Sequence, residues 1–180
     1  MEYLDICDEI GNLTGEKKLK DLVHKDGDWH KIAIIWLVNN KGEFLLQKRS
    51  SASISKPDTW DVTVAGHIKS GEDPAQAAVR ELAEEIGIES DCQELKFICS
   101  YKNQTLENNK TFINNQHTHL FLLNKDVKAE EIIVERSEVS EIRYFTAEEI
   151  EQHLENNTMN FAFDKNQYNN YYKGLKDKVL

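Results

Sequence analysis

The chain of 180 residues is long enough for one domain with a substantial core and too short to favour two complete ones. Its net charge of -10, with no Lys/Arg-rich run to offset it, excludes nucleic-acid polymers and anionic membranes as partners. A small phosphorylated molecule stays accessible if clustered carboxylates bind a divalent cation that reverses the local field. With 39% hydrophobic and 30% charged residues, the composition is that of a soluble globular chain rather than a disordered one.

The first residues, "MEYLDICDEIG", lack a basic segment followed by an apolar one, so they do not read as a secretory signal, and the expected location is the cytoplasm. "YLDICD" suggests an edge strand, and Gly11, Asn12 and Gly15 mark turns, so residues 1–30 read as an edge strand and a loop. "IAIIWLV", the longest apolar run, falls far short of the roughly 20 residues a membrane helix needs and reads as a buried strand. It pairs with "EFLLQKR" across the turn at Asn39–Gly42, and Trp36 on it reads as packing. A Ser-rich loop leads to the short strand "WDVTVAG". "ELKFICSYK" and "HTHLFLL" read as two strands joined by the long polar loop "NQTLENNKTFINNQ". "EIRYF" is a strand, Thr146 caps a helix with Glu149 completing a capping box, and 160–180 holds a terminal helix. Cys7, Cys92 and Cys99 show no CxxC spacing and suit reduced thiols. Together these elements give one α/β (α+β) domain over 1–180, a mixed sheet with helices packed on it.

The segment "GHIKSGEDPAQAAVRELAEEIGI" contains the chemistry. Asp73 is an N-cap, Pro74 fits the first turn, Gln76 stands at the capping-box position and Gly87 ends the helix. Ala75, Ala78, Val79, Leu82 and Ile86 form an apolar stripe, and Glu81, Glu84 and Glu85 form another stripe. Such carboxylates repel by about 0.2–0.5 kcal/mol per pair in water, a cost that a hard divalent cation converts into coordination. Arg80 is placed to orient a carboxylate, and Glu72 to bridge the preceding loop to the helix. A solvated Glu-rich helical face would show the same spacing.

The segment also resembles the Nudix box of the Nudix hydrolase superfamily, reading Gly66, Glu72, Arg80, Glu81, apolar Leu82, Glu84, Glu85, Gly87 and apolar Ile88 at the box's spacing. The resemblance implies a mixed sheet sandwiched between helices. It also implies Mg²⁺ (or Mn²⁺) held mainly by Glu81 and Glu85, with Glu84 assisting and the Ala65 carbonyl completing the site. The implied reaction is attack of water on a diphosphate linkage in a small molecule. "HKIAIIWLVNNKGEFLLQKRS" and "PDTWDVTVAGH" are similar to the branch that includes type I isopentenyl diphosphate isomerase.

That isomerase has a catalytic Cys where this chain has Ala65, and two metal-site Glu where Asn114 and Gln116 stand. A hydrolase is therefore the favoured reading, with an isomerase-like enzyme and a non-catalytic binding module of the same fold as alternatives. His24, His30 and His67 resemble the isomerase branch's metal-site histidines. They suit either a second metal or a neutral pocket lining, with His24 in a surface loop. Lys48 and Arg49 suit either offsetting substrate phosphate charge or surface solubility, His67 is read as lining the site, and Trp60 as either stacking on a substrate base or anchoring the fold. His117 and His119 share one strand face. A further Glu beyond the box is sought at Glu107 or Glu141. Homodimerisation is left open.

Overall fold

The computed structural model describes residues 1–107 and 112–179. Nine strands among them join in one hydrogen-bonded sheet: β1 (Tyr3–Cys7), β2 (Leu13–Leu19), β3 (Trp29–Val38), β4 (Phe44–Arg49), β5 (Trp60–Asp61), β6 (Val64–His67), β7 (Leu95–Glu107), β8 (Phe112–Asn124) and β9 (Val139–Phe145). The helices are α1 (Lys20–Asp26), α2 (Pro74–Ile86), α3 (Ala147–Asn156) and α4 (Lys165–Val179).

The apolar strand β3 is the hub. β8 runs parallel to it from Trp29↔Asn115 to Val38↔Asn124, occupying one edge along its whole length. On the other edge β6 pairs antiparallel through Ile32↔His67 to Ile35↔Val64, and β4 continues at Leu37↔Leu45. Because successive side chains point to opposite faces, β3 feeds two cores. Ile32, Ile34, Trp36 and Val38 pack with Phe44, Phe145, Ile150, Tyr168 and Leu175 under α3 and α4. Ala33, Ile35 and Leu37 pack with Ala78, Leu82 and Ile86 of α2. Both faces are covered by helices, so the mixed sheet is sandwiched as expected.

The local signals of α2 are realised. Asp73 accepts a hydrogen bond from the Ala75 N–H at 2.9 Å, the Gln76 side chain accepts from the Asp73 N–H at 3.2 Å, and Gly87 takes the left-handed conformation at φ 65°. Ala77 is fully buried on the sheet-facing stripe, and Val79 is only partly buried. Thr146 and Glu149 form the expected capping box of α3.

Two regions differ from expectation. Residues 1–30 carry a β1–β2 hairpin and α1 rather than one strand and a loop. β2 is largely exposed and so has no apolar alternation, and α1 is two turns long with only Val23 and His24 buried. Between "ELKFICSYK" and "HTHLFLL" the described residues are strand rather than a long loop, and residues 108–111 of that expected loop lie outside the described residues. β7 runs on to Glu107 and β8 begins at Phe112, paired from Leu95↔Leu123 to Glu107↔Phe112. Asn103 and Thr105 on β7 and Asn114 and Gln116 on β8 line a cavity, so a polar face hides the strand period.

Candidate active site

β6 and α2 meet edge to face, and Gly66 lets them. A Cβ built on Gly66 would collide with the Glu81 carboxyl group, so this position must lack a side chain for Glu81 to lie against the β6 backbone. Arg80 organises the carboxylates around it. Its Nε donates to Glu72 Oε1 at 2.8 Å and its Nη2 to Glu72 Oε2 at 2.9 Å, a two-pronged pair between helix and preceding loop. Nη1 donates to Glu81 Oε1 at 2.7 Å and Glu84 Oε2 at 3.0 Å, and Nη2 also reaches the His67 carbonyl at 2.9 Å. One guanidinium thus ties Glu72, Glu81, Glu84 and β6 together.

Burial raises the Glu72 carboxyl, but the hydrogen bonds from Arg80 and the Lys69 N–H outweigh it and leave Glu72 below its ordinary pKa. Glu81 is raised by burial despite Arg80. Glu85 is pushed up to about 8, first by burial and further by Glu81 and Glu138, while Gln47 opposes the shift. Carboxylates with costly charge, converging beside the Ala65 backbone, form a donor set of oxygens suited to Mg²⁺ or Mn²⁺. Glu84 is half exposed at the rim.

Two cavities, of about 500 Å³ and about 420 Å³, adjoin this site and share Lys20, Arg49, Ala65, Gly66, His67 and Glu138 in their walls. The first also contains Gln47, Arg80, Glu81, Glu84, Glu85 and Glu135. Arg49 is held by the Ser55 carbonyl at 3.0 Å and Asp61 at 3.3 Å. Lys48 lines neither cavity, because strand alternation turns it away from the side that Gln47 and Arg49 share. Trp60 is 7% exposed, edge-on to Phe145 at 5.0 Å in the core, and so has the anchoring place rather than a base-stacking one. Glu141 is exposed on β9 opposite Lys48 and lines neither cavity. Glu107 ends β7, and its side chain lies outside the described residues.

His24 sits on α1, 3% exposed rather than in a surface loop. Its Nε2 lies 3.2 Å from His67 Nε2, and one nitrogen from each of His24, His30 and His67 falls within 4.8 Å of the others. His30 Nδ1 is 3.1 Å from the Asp28 carbonyl, and its buried Nε2 has no partner. Burial lowers the pKa of all three, His30 to about 4, so the cluster presents neutral imidazoles that could hold a borderline cation. His117 is buried, with Nε2 3.0 Å from the Asp8 carbonyl, and His119 contacts Ser100.

Lys20, Gln47, Glu135 and Glu138 are among the cavity-lining residues that the sequence does not single out. Glu135 and Glu138 sit in a polar turn just before β9, where the Glu135 N–H donates to the Glu85 carbonyl at 2.8 Å. In sequence, such a turn carries no mark that separates it from other charged surface.

An α/β/α sandwich whose loop, helix and loop bring these carboxylates to the sheet edge is the architecture of a Nudix domain. The sequence model of the NUDIX domain family matches residues 28–166, and the chain belongs to that family. It is 34% identical over 158 residues to an uncharacterized Nudix hydrolase of Clostridium acetobutylicum, covering 86% of this chain and 75% of that protein. It is 32% identical over 156 residues to Nudix hydrolase 3 of Arabidopsis thaliana, covering 85% of this chain but only 20% of that longer protein. Isopentenyl-diphosphate Delta-isomerase 2 of Photorhabdus laumondii is 32% identical over 143 residues, covering 79% of this chain and 76% of the isomerase. The crystal structure of DR0079 from Deinococcus radiodurans shares the fold, with a TM-score of 0.69 at 21% identity over 89% of this chain and 92% of that one. Among the described residues no helix is long and apolar enough to cross a membrane.

Proposed function

We propose that the chain is a Mg²⁺- or Mn²⁺-dependent hydrolase that cleaves a diphosphate linkage in a small phosphorylated metabolite, a nucleoside diphosphate derivative or similar. The observation that carries this reading is the convergence of Glu81, Glu84 and Glu85 beside Gly66, all on the wall of the cavity that Arg49 and Lys20 also line. Glu81 and Glu85, with Glu84 and the Ala65 carbonyl, are the residues that would hold the metal. When bound, it supplies Lewis acidity and lowers the pKa of the attacking water.

The chain's own groups do the rest. Arg80 fixes the orientation of Glu72, Glu81 and Glu84 through four hydrogen bonds, so the oxygens need little rearrangement to bind a cation. Arg49 and Lys20 offset the charge of the bound phosphates. Glu138, on the wall of the same cavity as Glu85, accepts the proton released as water forms its bond to phosphorus and the bridging P–O bond breaks. The substrate is a small molecule, and the protein acts in the cytoplasm as one domain, without nucleic-acid or membrane partners.

Isomerase chemistry needs an acid and a base on either side of a hydrocarbon, and Ala65 can be neither. A non-catalytic binding module would have no need of the complete carboxylate set. The test is a screen of the purified chain with Mg²⁺ and Mn²⁺ for product release from nucleoside di- and triphosphates, nucleotide sugars, dinucleotides, coenzyme A and isoprenoid diphosphates. Metal-dependent cleavage of at least one is expected. Isomerised isopentenyl diphosphate, or binding without turnover, would replace this reading with one of the alternatives.

A further inference from the structure

The N-terminal strand β1 lies before the residues that the NUDIX family model matches, yet it is bonded to the loop that leads into α2. Leu4 and Ile6 of β1 are buried and pack with Val23 of α1, so strand alternation turns Asp5 to the other face. There its Oδ1 accepts from the Ser70 hydroxyl at 2.6 Å and its Oδ2 from the Gly71 N–H at 2.8 Å, joining residues 65 and 66 positions apart. The backbone follows the same seam. The Ser70 N–H donates to the Tyr3 carbonyl at 2.8 Å, and Leu4 bridges to Lys69.

Residues 69–72 form a β-turn closed by the Glu72 N–H on the Lys69 carbonyl at 2.9 Å, with Gly71 at φ 79°. The Lys69 N–H donates to Glu72 Oε2 at 3.0 Å, so this turn fixes the same carboxyl group that accepts from Arg80 at 2.8 and 2.9 Å. Arg80 Nη1 then holds Glu81 and Glu84. Asp5 therefore stands at the head of an unbroken relay that runs through the turn, Glu72 and Arg80 to the carboxylates. Gly71 is exposed, so loss of Asp5 hands its N–H to water and frees the turn rather than leaving a buried group unpaired.

We propose that Asp5 is a positioning residue for the metal-binding carboxylates, acting through the 69–72 turn, Glu72 and Arg80. The strand ahead of the family's matched region is thereby part of the site. The inference rests on the reading of Glu81, Glu84 and Glu85 as metal ligands in a hydrolase. Hydrogen bonds made directly to metal ligands are worth about 10–100-fold in affinity, and Asp5 acts further out, so an effect of at least about threefold is expected.

The test titrates Mg²⁺ into the wild type, Asp5→Ala, Asp5→Asn and Asp8→Ala, and takes the half-saturating concentration from the rise in Tm. Asp8 accepts from the Ile10 N–H at 3.0 Å and the Asn12 N–H at 2.9 Å, so Asp8→Ala loosens the β1–β2 hairpin without touching the 69–72 turn. Asp5→Ala should raise the half-saturating concentration at least about threefold, and should speed amide exchange at Gly71 and Glu72 in EDTA. Asp5→Asn should stay within about twofold of the wild type, because an amide oxygen there can accept from the Gly71 N–H while the NH₂ donates to the Ser70 oxygen. Asp8→Ala should lower Tm and leave the half-saturating concentration unchanged. If Asp5→Ala does not fold, Ser70→Ala, which removes one of the two bonds, should raise that concentration about twofold. No rise in whichever of these two variants decides the matter, or an equal rise in Asp8→Ala, would overturn the proposal. The expected rise in a chain that cleaves no diphosphate would support it while overturning the hydrolase reading.

Discussion

Gln47 on β4 donates its Nε2 to Glu85 Oε2 on α2 at 2.8 Å, joining residues 38 positions apart across the sheet–helix boundary. Gln47 is 4% exposed, and its own Oε1 is buried without a partner. The Glu85 oxygen is therefore held by a side chain with little room to move. Outer hydrogen bonds of this kind orient metal ligands, and removing them costs about 10–100-fold in affinity. Gln47→Met should accordingly weaken Mg²⁺ binding by about tenfold, measured as the Mg²⁺ concentration giving half-maximal turnover. An unchanged concentration would mean that Glu85 is oriented by something else.

Glu85→Gln should lower turnover by at least about a hundredfold, the scale on which one lost electrostatic stabiliser acts. Without metal its effect on stability should have the opposite sign. The folded-state pKa of about 8 lies above the ordinary carboxyl value of 4.5, so the folded chain binds the proton more tightly and loses stability as pH rises from 4.5 through 8. In EDTA, the variant should melt above the wild type at pH 8.5, and the difference should vanish near pH 5. A variant that melts lower at pH 8.5 would show that Glu85 is not a destabilising buried charge in the metal-free protein.

Gly66→Ala changes one methyl group, with a large expected result, because the new Cβ would occupy the space of the Glu81 carboxyl. Gly66 is not among the glycines with positive φ, so the backbone tolerates alanine and the clash alone is tested. Turnover should fall by about a hundredfold, and the Mg²⁺-induced rise in Tm should shrink. Normal turnover would place Glu81 elsewhere than against β6.

The histidine cluster predicts acid sensitivity. His24, His30 and His67 are all lowered by burial, His30 to about 4, so the folded chain holds them neutral where the unfolded chain takes up protons. Their contribution is fully present above the ordinary value of 6.5 and is lost as pH falls from 6.5 toward 4. In a Glu85→Gln background, where that carboxyl no longer titrates, urea midpoints should drop between pH 7 and pH 5, and adding His30→Gln should flatten that drop. Parallel pH profiles for the two proteins would contradict the burial of an uncharged His30.

The elements legible in sequence are those whose signals are local. α2 announces itself through Asp73, Pro74, Gln76 and Gly87, and the β3–β4 hairpin through an apolar run closed at Gly42. β2 and α1 were hidden because little of either is buried, so no period reaches the sequence. The polar ends of β7 and β8 resemble a loop because their alternate residues face a polar cavity rather than a core. For the site, the box carboxylates share one helix and can be read together. Gln47, Glu138 and Lys20 reach the same cavity from β4, the turn before β9 and α1, a juxtaposition set only by tertiary packing.

Product analysis by chromatography, after incubating the chain with Mg²⁺ and the diphosphate panel, decides whether the chain is a metal-dependent diphosphate hydrolase. A substrate should be cleaved into two phosphorylated fragments, or a phosphorylated fragment and phosphate, and EDTA should abolish the cleavage. Intact substrates throughout, or isopentenyl diphosphate converted to its double-bond isomer without cleavage, would contradict it.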